Sequence, residues 1–383
     1  MRASVVISAL VAVVVGFGGS LAIVLAAAQA LGASEAQTWS WVTGLCLGIM
    51  GVTAILSVRH RVPIVAAGST PGAALITGSS GVSLEAAVGA FFLAAVLVLL
   101  TAVFRPALAL VERIPVAIAS AMLAGIIFGF VMALFDHLQG VPALVFPLLV
   151  AFVAIRLFSP SWAVLTVLVL GVVLANLLGL TEPLGSLQIS SFTWITPTFD
   201  AATLIGLGLP LYLVTMASQN LPGFAVLRAA DYPVPARSIL TVTGLASLLT
   251  AGVGAHATNL AAITAAICTG PEAHPDKDKR WLCGPIYAAS YALLALFGAS
   301  FVTLFASFPA ALVATVAAIA LFGPFLAALA ASLAESKQRF AAAVTFVVTA
   351  SGISAFDVGS AFWGLTAGLV VLGLEATVRD RKP

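Results

Sequence analysis

Fourteen apolar runs follow one another along the 383 residues of this chain, at about 5–28, 39–57, 62–78, 83–103, 115–133, 141–158, 161–179, 200–220, 238–252, 256–269, 282–303, 309–331, 340–353 and 360–377. A bilayer crossing takes roughly 20 apolar residues, so most of these runs are long enough to span and several are short. The charges between them order the set. With the chain starting on one side, all 16 Lys and Arg residues fall on that side. They are Arg2, Arg59, Arg61, Arg105, Arg113, Arg156, Arg228, Arg237, Lys277, Lys279, Arg280, Lys337, Arg339, Arg379, Arg381 and Lys382. The opposite connections carry none of them and hold Glu35, Asp136, Glu182 and Asp357. The positive-inside rule then places both termini in the cytoplasm of a bacterial inner-membrane protein. Adding or losing one run in the middle scrambles the pattern.

Only 8% of the residues are charged and 62% are hydrophobic. A soluble domain carries about 25% charged residues, so lipid must be the outer solvent. The basic residues are scattered singly, and the net charge of +2 points to no nucleic-acid partner. Cys46, Cys268 and Cys283 show no metal-ligand spacing and read as small buried residues. The first run is too long for a signal-peptide core, and Gln29 follows it without a clear cleavage site, so it is expected as a retained span.

Residues 181–200 form one long polar connection, rich in Ser, Thr and Pro, with Trp194 near its end. It separates a first half, 1–180, from a second, 199–383, with seven runs each. Seven is odd, so the second half enters the membrane in the opposite sense, which is the arithmetic of an inverted repeat.

One feature is paired between the halves. The third run holds Gly68, Ser69, Thr70, Pro71 and Gly72. Proline disfavours helix in the residue before it and suits the first turn of a helix, and Ser69 or Thr70 suits the N-cap. A helix should therefore begin near Pro71 in mid-membrane. The tenth run holds Gly252, Gly254, Ala255, His256 and Asn259, and a helix is expected to start near His256 or Ala257, with Asn259 on the same face as His256. Paired interruptions of this kind point to a transporter's central site, where facing helix N-termini suit an anion.

Polar residues inside the runs add candidates. His256 is the one histidine expected at mid-membrane, His60, His137 and His274 falling in loops. It is a candidate for substrate binding and for proton coupling. Gln219 and Asn220 end the eighth run and need partners. Asn176 reads as helix-packing glue, Phe17 as an apolar wall, and Gly16, Gly18, Gly19, Ser20, Gly44, Gly48, Gly125 and Gly129 as packing positions. No acidic residue falls clearly at mid-membrane, so a proton has either His256 or the transported carboxylate itself to travel on.

The runs Ser69-Thr70-Pro71-Gly72-Ala73-Ala74-Leu75, Thr215-Met216-Ala217-Ser218-Gln219-Asn220-Leu221-Pro222-Gly223 and 254–267 resemble the benzoate/proton symporter family, as do Gly270-Pro271-Glu272-Ala273-His274-Pro275-Asp276 and Ala361-Phe362-Trp363-Gly364-Leu365. The resemblance spans essentially the whole chain. It implies an all-α polytopic membrane protein of 14 segments in a 7+7 inverted repeat, similar to uracil permease and the sulfate transporters. Short strands are implied in segments 3 and 10. A core domain (1–104 plus 199–305) would move like an elevator against a gate domain (105–198 plus 306–383). The implied substrate site comprises Ser69, Thr70, Pro71, Gly72, Gln219, Asn220, Gly254, Ala255, His256, Asn259 and Phe17. The implied activity is uptake of benzoate or a similar aromatic carboxylate with protons, without cofactor or metal. Relatives of the fold often dimerise, so a homodimer is among the expected partners.

Nucleobase relatives carry glutamates in segments eight and ten, where this chain has Ser218, Gln219 and Asn220, and His256 to Asn259. Their absence favours an anion. A nucleobase symporter and an inorganic-anion exchanger are the alternatives. An enzyme would need clustered His, Asp or Glu at one membrane face, and the group His274, Asp276 and Asp278 reads as a solvated turn.

Overall fold

The computed structural model describes residues 2–79, 81–104, 115–158, 160–183, 188–353, 355 and 358–379. Arg105, Arg113, Asp357, Arg381 and Lys382 of the charge pattern lie outside the described residues. The chain is a helical bundle. In the first half α1 is Ala3–Ala30, α2 Glu35–His60, β1 Ala66–Gly68, α3 Thr70–Thr77, α4 Leu84–Val103, α5 Val116–Gly140, α6 Pro142–Phe158 and α7 Pro160–Leu177. In the second half α8 is Ala201–Ala229, α9 Ala236–Ala251, β2 Thr258–Leu260 and α10 Ile263–Thr269. Then come α11 Cys283–Leu296, α12 Gly298–Ala306, α13 Ala310–Leu333, α14 Arg339–Ala350 and α15 Ser360–Arg379. Among the described residues seven helices are long and apolar enough to cross a membrane, and a bent pair makes an eighth.

That bent pair departs from the single run expected at 282–303. The 61° bend falls between α11 and α12. There Ser190 of the long connection donates its N–H to the Leu296 carbonyl (3.0 Å) and accepts the Ala299 N–H on its Oγ (3.1 Å). The same connection donates from Ile195 N to Gly252 O (2.8 Å) and from Thr198 N to Glu85 O (3.0 Å), and Ser40 Oγ accepts the Thr193 N–H (3.0 Å). It therefore ties α2, α4, α9 and α11–α12 at one end of the bundle.

Basic residues gather at the other end. Ser4 Oγ donates to Ala273 O, Arg61 lies over the Trp281 ring at 5.3 Å, His60 meets Ser238 at 2.9 Å, and Lys277 donates to Asp231 O at 2.6 Å. These contacts bring together the start of α1, the ends of α2 and α8, the start of α9 and the loop before α11. In that loop Lys279 pairs with Asp276 at 3.2 Å, and this bond, with the Asp278 N–H, holds the Asp276 carboxyl below its ordinary range.

α8 runs on to Ala229, past the expected end of its run at 220, with π-helical turns at Leu204–Gly208 and Met216–Asn220. Each turn precedes a proline, Pro210 and Pro222, which has no N–H for the carbonyl four residues back. Wider turns absorb that defect and often mark functional positions.

Candidate functional site

β1 and β2 form a two-stranded antiparallel ribbon, pairing Ala66 with Leu260, Ala67 with Asn259 and Gly68 with Thr258. It joins the two interrupted segments. Such a ribbon buried in a bundle leaves outer backbone groups with no strand to meet, and each must be satisfied internally. Side chains of the surrounding helices do this. On the β1 edge, Thr53 Oγ1 accepts the Ala66 N–H (3.0 Å) and Tyr287 donates its hydroxyl to Ala66 O (3.0 Å). On the β2 edge, Ser247 Oγ accepts the Thr258 N–H (2.9 Å) and donates to Thr258 O (3.2 Å), and Asn220 Oδ1 accepts the Leu260 N–H (3.0 Å). Asn220 is thus committed to the ribbon. Gly223, one turn on, lets α8 lie against Leu260, where an added Cβ would meet its Cγ at 2.5 Å.

α3 begins as the sequence predicts. Ser69 is the N-cap, its Oγ accepting the Gly72 N–H at 3.0 Å, and Pro71 sits in the first turn. The expected free N–H groups are mostly used: Ser69 O takes the Ala73 N–H (2.8 Å), and Pro71 has none. The tenth segment differs from expectation. Gly254, with φ of +94°, turns the chain closely past Trp41, residues 258–260 join the ribbon, and α10 starts only at Ile263. His256 and Asn259 therefore do not share a helix face.

His256 is 1% exposed. Trp41 donates its indole N–H to His256 Nδ1 at 3.2 Å, and His256 Nε2 meets the Ser69 carbonyl at 2.8 Å. Phe91 closes the box, its ring 6.2 Å from the imidazole. Ser69 also donates its N–H to Ala257 O at 3.4 Å. The start of α3 and the segment before β2 are thus bolted together.

Asn259 stands apart from these committed groups. It is fully buried, and neither Oδ1 nor Nδ2 has a hydrogen-bond partner among the described residues. Gly68 faces Leu45 of α2, and Thr258 packs on Gly48 of the same helix. Strand alternation puts the intervening pair, Ala67 and Asn259, on the opposite face, away from α2. Gln219 is half-buried, and its side chain makes no hydrogen bond among the described residues. Phe17 packs its edge on Tyr291 (6.4 Å) and Phe301 (5.2 Å), and Thr264 with the Tyr287 and Tyr291 hydroxyls borders Gly16. A cavity of about 650 Å³ lies between α1, α3 and α8 on one side and α5, α13, α14 and α15 on the other. Its lining includes Gln29, His137, Gly206 and Thr349, and on α3 it reaches Ala74, two residues beyond Gly72. None of the sequence-predicted site residues lines it.

Trp41, Thr53, Ser247 and Tyr287 carry no motif in the sequence. Their one signal is a hydroxyl or an indole N–H inside an apolar helix, which needs a partner.

Half-helices that stop inside a membrane bundle are tolerated where they line a path through it, and the class so defined is a polytopic membrane transporter. The chain belongs to the benzoate membrane transport protein family, whose family model matches residues 1–374. It is 38% identical over 373 residues to "Inner membrane protein YdcO" of Escherichia coli (strain K12), covering 97% of this chain and 95% of that protein. It is 36% identical over 369 residues to "Benzoate membrane transport protein" of Acinetobacter baylyi, covering 96% and 94%. Among solved structures, the transmembrane domain of the cyanobacterial bicarbonate transporter BicA aligns with a TM-score of 0.62 at 16% identity, covering 98% of this chain and 97% of that one. SLC26A9 aligns with a TM-score of 0.66 at 11% identity, covering 98% and 66%. At these identities the structures speak for the fold alone. The family is one of transporters and not of enzymes.

Proposed function

We propose that this chain imports benzoate or a similar aromatic carboxylate across the bacterial inner membrane together with protons. The observation that carries this reading is Asn259: a fully buried amide with both polar atoms unpartnered, on the ribbon face turned from α2. Buried amides are nearly always satisfied, and an exception calls for an absent partner. A small polar ligand supplies one. The aromatic rings of Phe17, Tyr291 and Phe301 offer an apolar wall for the ligand's ring. The Acinetobacter relative's name supplies benzoate as the substrate to try first. The site would be completed by Ser69 to Gly72, Gln219, and Gly254 to His256, with Asn220 acting through β2.

Elevator movement of the core, 1–104 plus 199–305, against the gate, 105–198 plus 306–383, is the expected mechanism. Its support is the packing: α2 lies on α11 and α9 on α4, while α5 lies on α13 and α14, and α14 on α15. The cavity falls between those two sets. With the basic end in the cytoplasm, the cavity faces outward and reaches α3 within a turn of the proposed site.

Labelled benzoate uptake into proteoliposomes with an inward proton gradient tests the proposal. Gradient-stimulated uptake is expected; its absence rejects it. The BicA-like fold makes an inorganic-anion exchanger the second reading. Bicarbonate or chloride countertransport without a proton requirement would favour that one.

A further inference from the structure

We propose that the accompanying proton rides on the substrate's own carboxyl group, held by Asn259, and not on His256. This rests on the aromatic-acid reading above.

The first observation is the chemistry of the orphaned amide. Nδ2 of asparagine donates and Oδ1 accepts, and in Asn259 both are buried without partners. A carboxylate offers acceptors only. It would satisfy Nδ2 and set its negative charge against Oδ1. A carboxylic acid carries a hydroxyl donor beside a carbonyl acceptor, and it pairs with a primary amide through two parallel hydrogen bonds. Of the two forms only the acid satisfies both atoms, and a buried polar atom left unsatisfied is costly.

The second observation is independent. An indole N–H can only donate, so the 3.2 Å contact from Trp41 makes His256 Nδ1 an acceptor. The 2.8 Å contact to the Ser69 carbonyl then needs a hydrogen on Nε2. His256 is therefore a neutral imidazole of one tautomer. A second proton would place an Nδ1–H against the indole N–H. The groups packed on the ring are Trp41 of α2, Phe91 of α4 and the Ser69 carbonyl before α3, and none is charged. The charged residues of those helices, Glu35, Arg59 and Glu85, sit at the ends of α2 and α4, and α3 has none. Among the described residues no carboxylate faces the ring to pair with an imidazolium.

The balance is simple. One proton from the outer solution joins one carboxylate oxygen, the neutral acid crosses, and the proton leaves on the other side. One proton moves per substrate and no net charge is carried.

Competition at fixed pH tests this with purified protein and labelled benzoate. Benzamide places an N–H donor and a carbonyl where the acid has them. Benzenesulfonate stays ionised. Benzamide should displace benzoate, and in Asn259→Ala it should do so at least tenfold more weakly. Benzenesulfonate should not displace it. Displacement by benzenesulfonate, or none by benzamide, overturns the inference. Apparent benzoate affinity should also fall about tenfold per pH unit above neutrality, with the same slope in His256→Gln. Loss of that slope in His256→Gln makes His256 the carrier and overturns the inference. A protein that binds no benzoate at all rejects the aromatic-acid reading instead.

Discussion

Asn220 on α8 accepts the Leu260 N–H of β2 on its Oδ1 at 3.0 Å, so an asparagine of one segment serves as the missing neighbour strand of another. Its Nδ2 turns back to Met216 Sδ at 3.5 Å. Asn220→Ala leaves the Leu260 N–H buried without an acceptor. The expected loss is about 1–3 kcal/mol of stability, the cost of an unsatisfied buried group. Thermal unfolding in detergent, with and without benzoate, measures it. An unchanged melting temperature would return Asn220 to the list of direct ligands.

Ser247 makes two bonds to one residue, accepting the Thr258 N–H and donating to its carbonyl. Ser247→Ala should cost about 1–3 kcal/mol for the same reason. Thr53→Val keeps the shape and removes the acceptor for Ala66 N. Both edges support one ribbon, so the double variant should depart from additivity. A double-mutant cycle on melting temperatures reads the coupling, and strict additivity would mean that the edges act separately.

The outline of this fold is legible in the sequence because membrane crossing writes itself in apolar length and charge placement. The break at α3 is legible because Pro71 and Ser69 carry strong local preferences, and the structure starts the helix there with Ser69 as cap. The start of α10 is not. Residues 257–262, Ala-Thr-Asn-Leu-Ala-Ala, serve a buried strand as readily as a helix, and only the partner β1, far away in sequence, decides for strand. The caps Thr53, Ser247 and Tyr287 are invisible for the same reason: each answers a backbone group on a distant element. The bend after Leu296 depends on Ser190, more than 100 residues earlier.

Glycines give a contrast that tests the connection across the bundle end. A Cβ on Gly89 of α4 would run into the carbonyl oxygen of Thr198, whereas a Cβ on Gly51 of α2 meets nothing within 4 Å. Gly89→Ala should therefore cost about 1–3 kcal/mol by overpacking. Gly51→Ala should stabilise by up to about 1 kcal/mol through helix propensity. Melting temperatures moving in opposite directions are the expected result.

Trp41→Phe keeps the ring and removes the N–H that His256 Nδ1 accepts. Nδ1 then loses its donor while the ring stays buried among uncharged groups, so the imidazole should remain neutral. The variant should bind benzoate more weakly than the wild type at every pH, because the box has lost the bond that fixes the ring, and its pH slope should be unchanged. Nitrogen NMR of labelled histidine should show one neutral tautomer in the wild type and a displaced Nδ1 signal in Trp41→Phe. A wild-type His256 that titrates near the ordinary imidazole value, about pH 6.5, would contradict the geometry.

Asn259 is the mirror case of Asn220. Both are fully buried amides, yet Asn220 is satisfied by the protein and Asn259 is not. Removing Asn220 should harm the fold, whereas removing Asn259 should harm only binding. Asn259→Leu replaces two desolvated polar atoms by an apolar side chain of similar volume, so stability should hold or rise, by about 1–3 kcal/mol at most. Benzoate affinity should fall at least tenfold in the same variant, since no other group replaces a two-bond amide. Raised melting temperature with lost binding is the signature of a group kept for its ligand. Lowered melting temperature with binding retained would mean that Asn259 has a partner within the protein and that the substrate sits elsewhere.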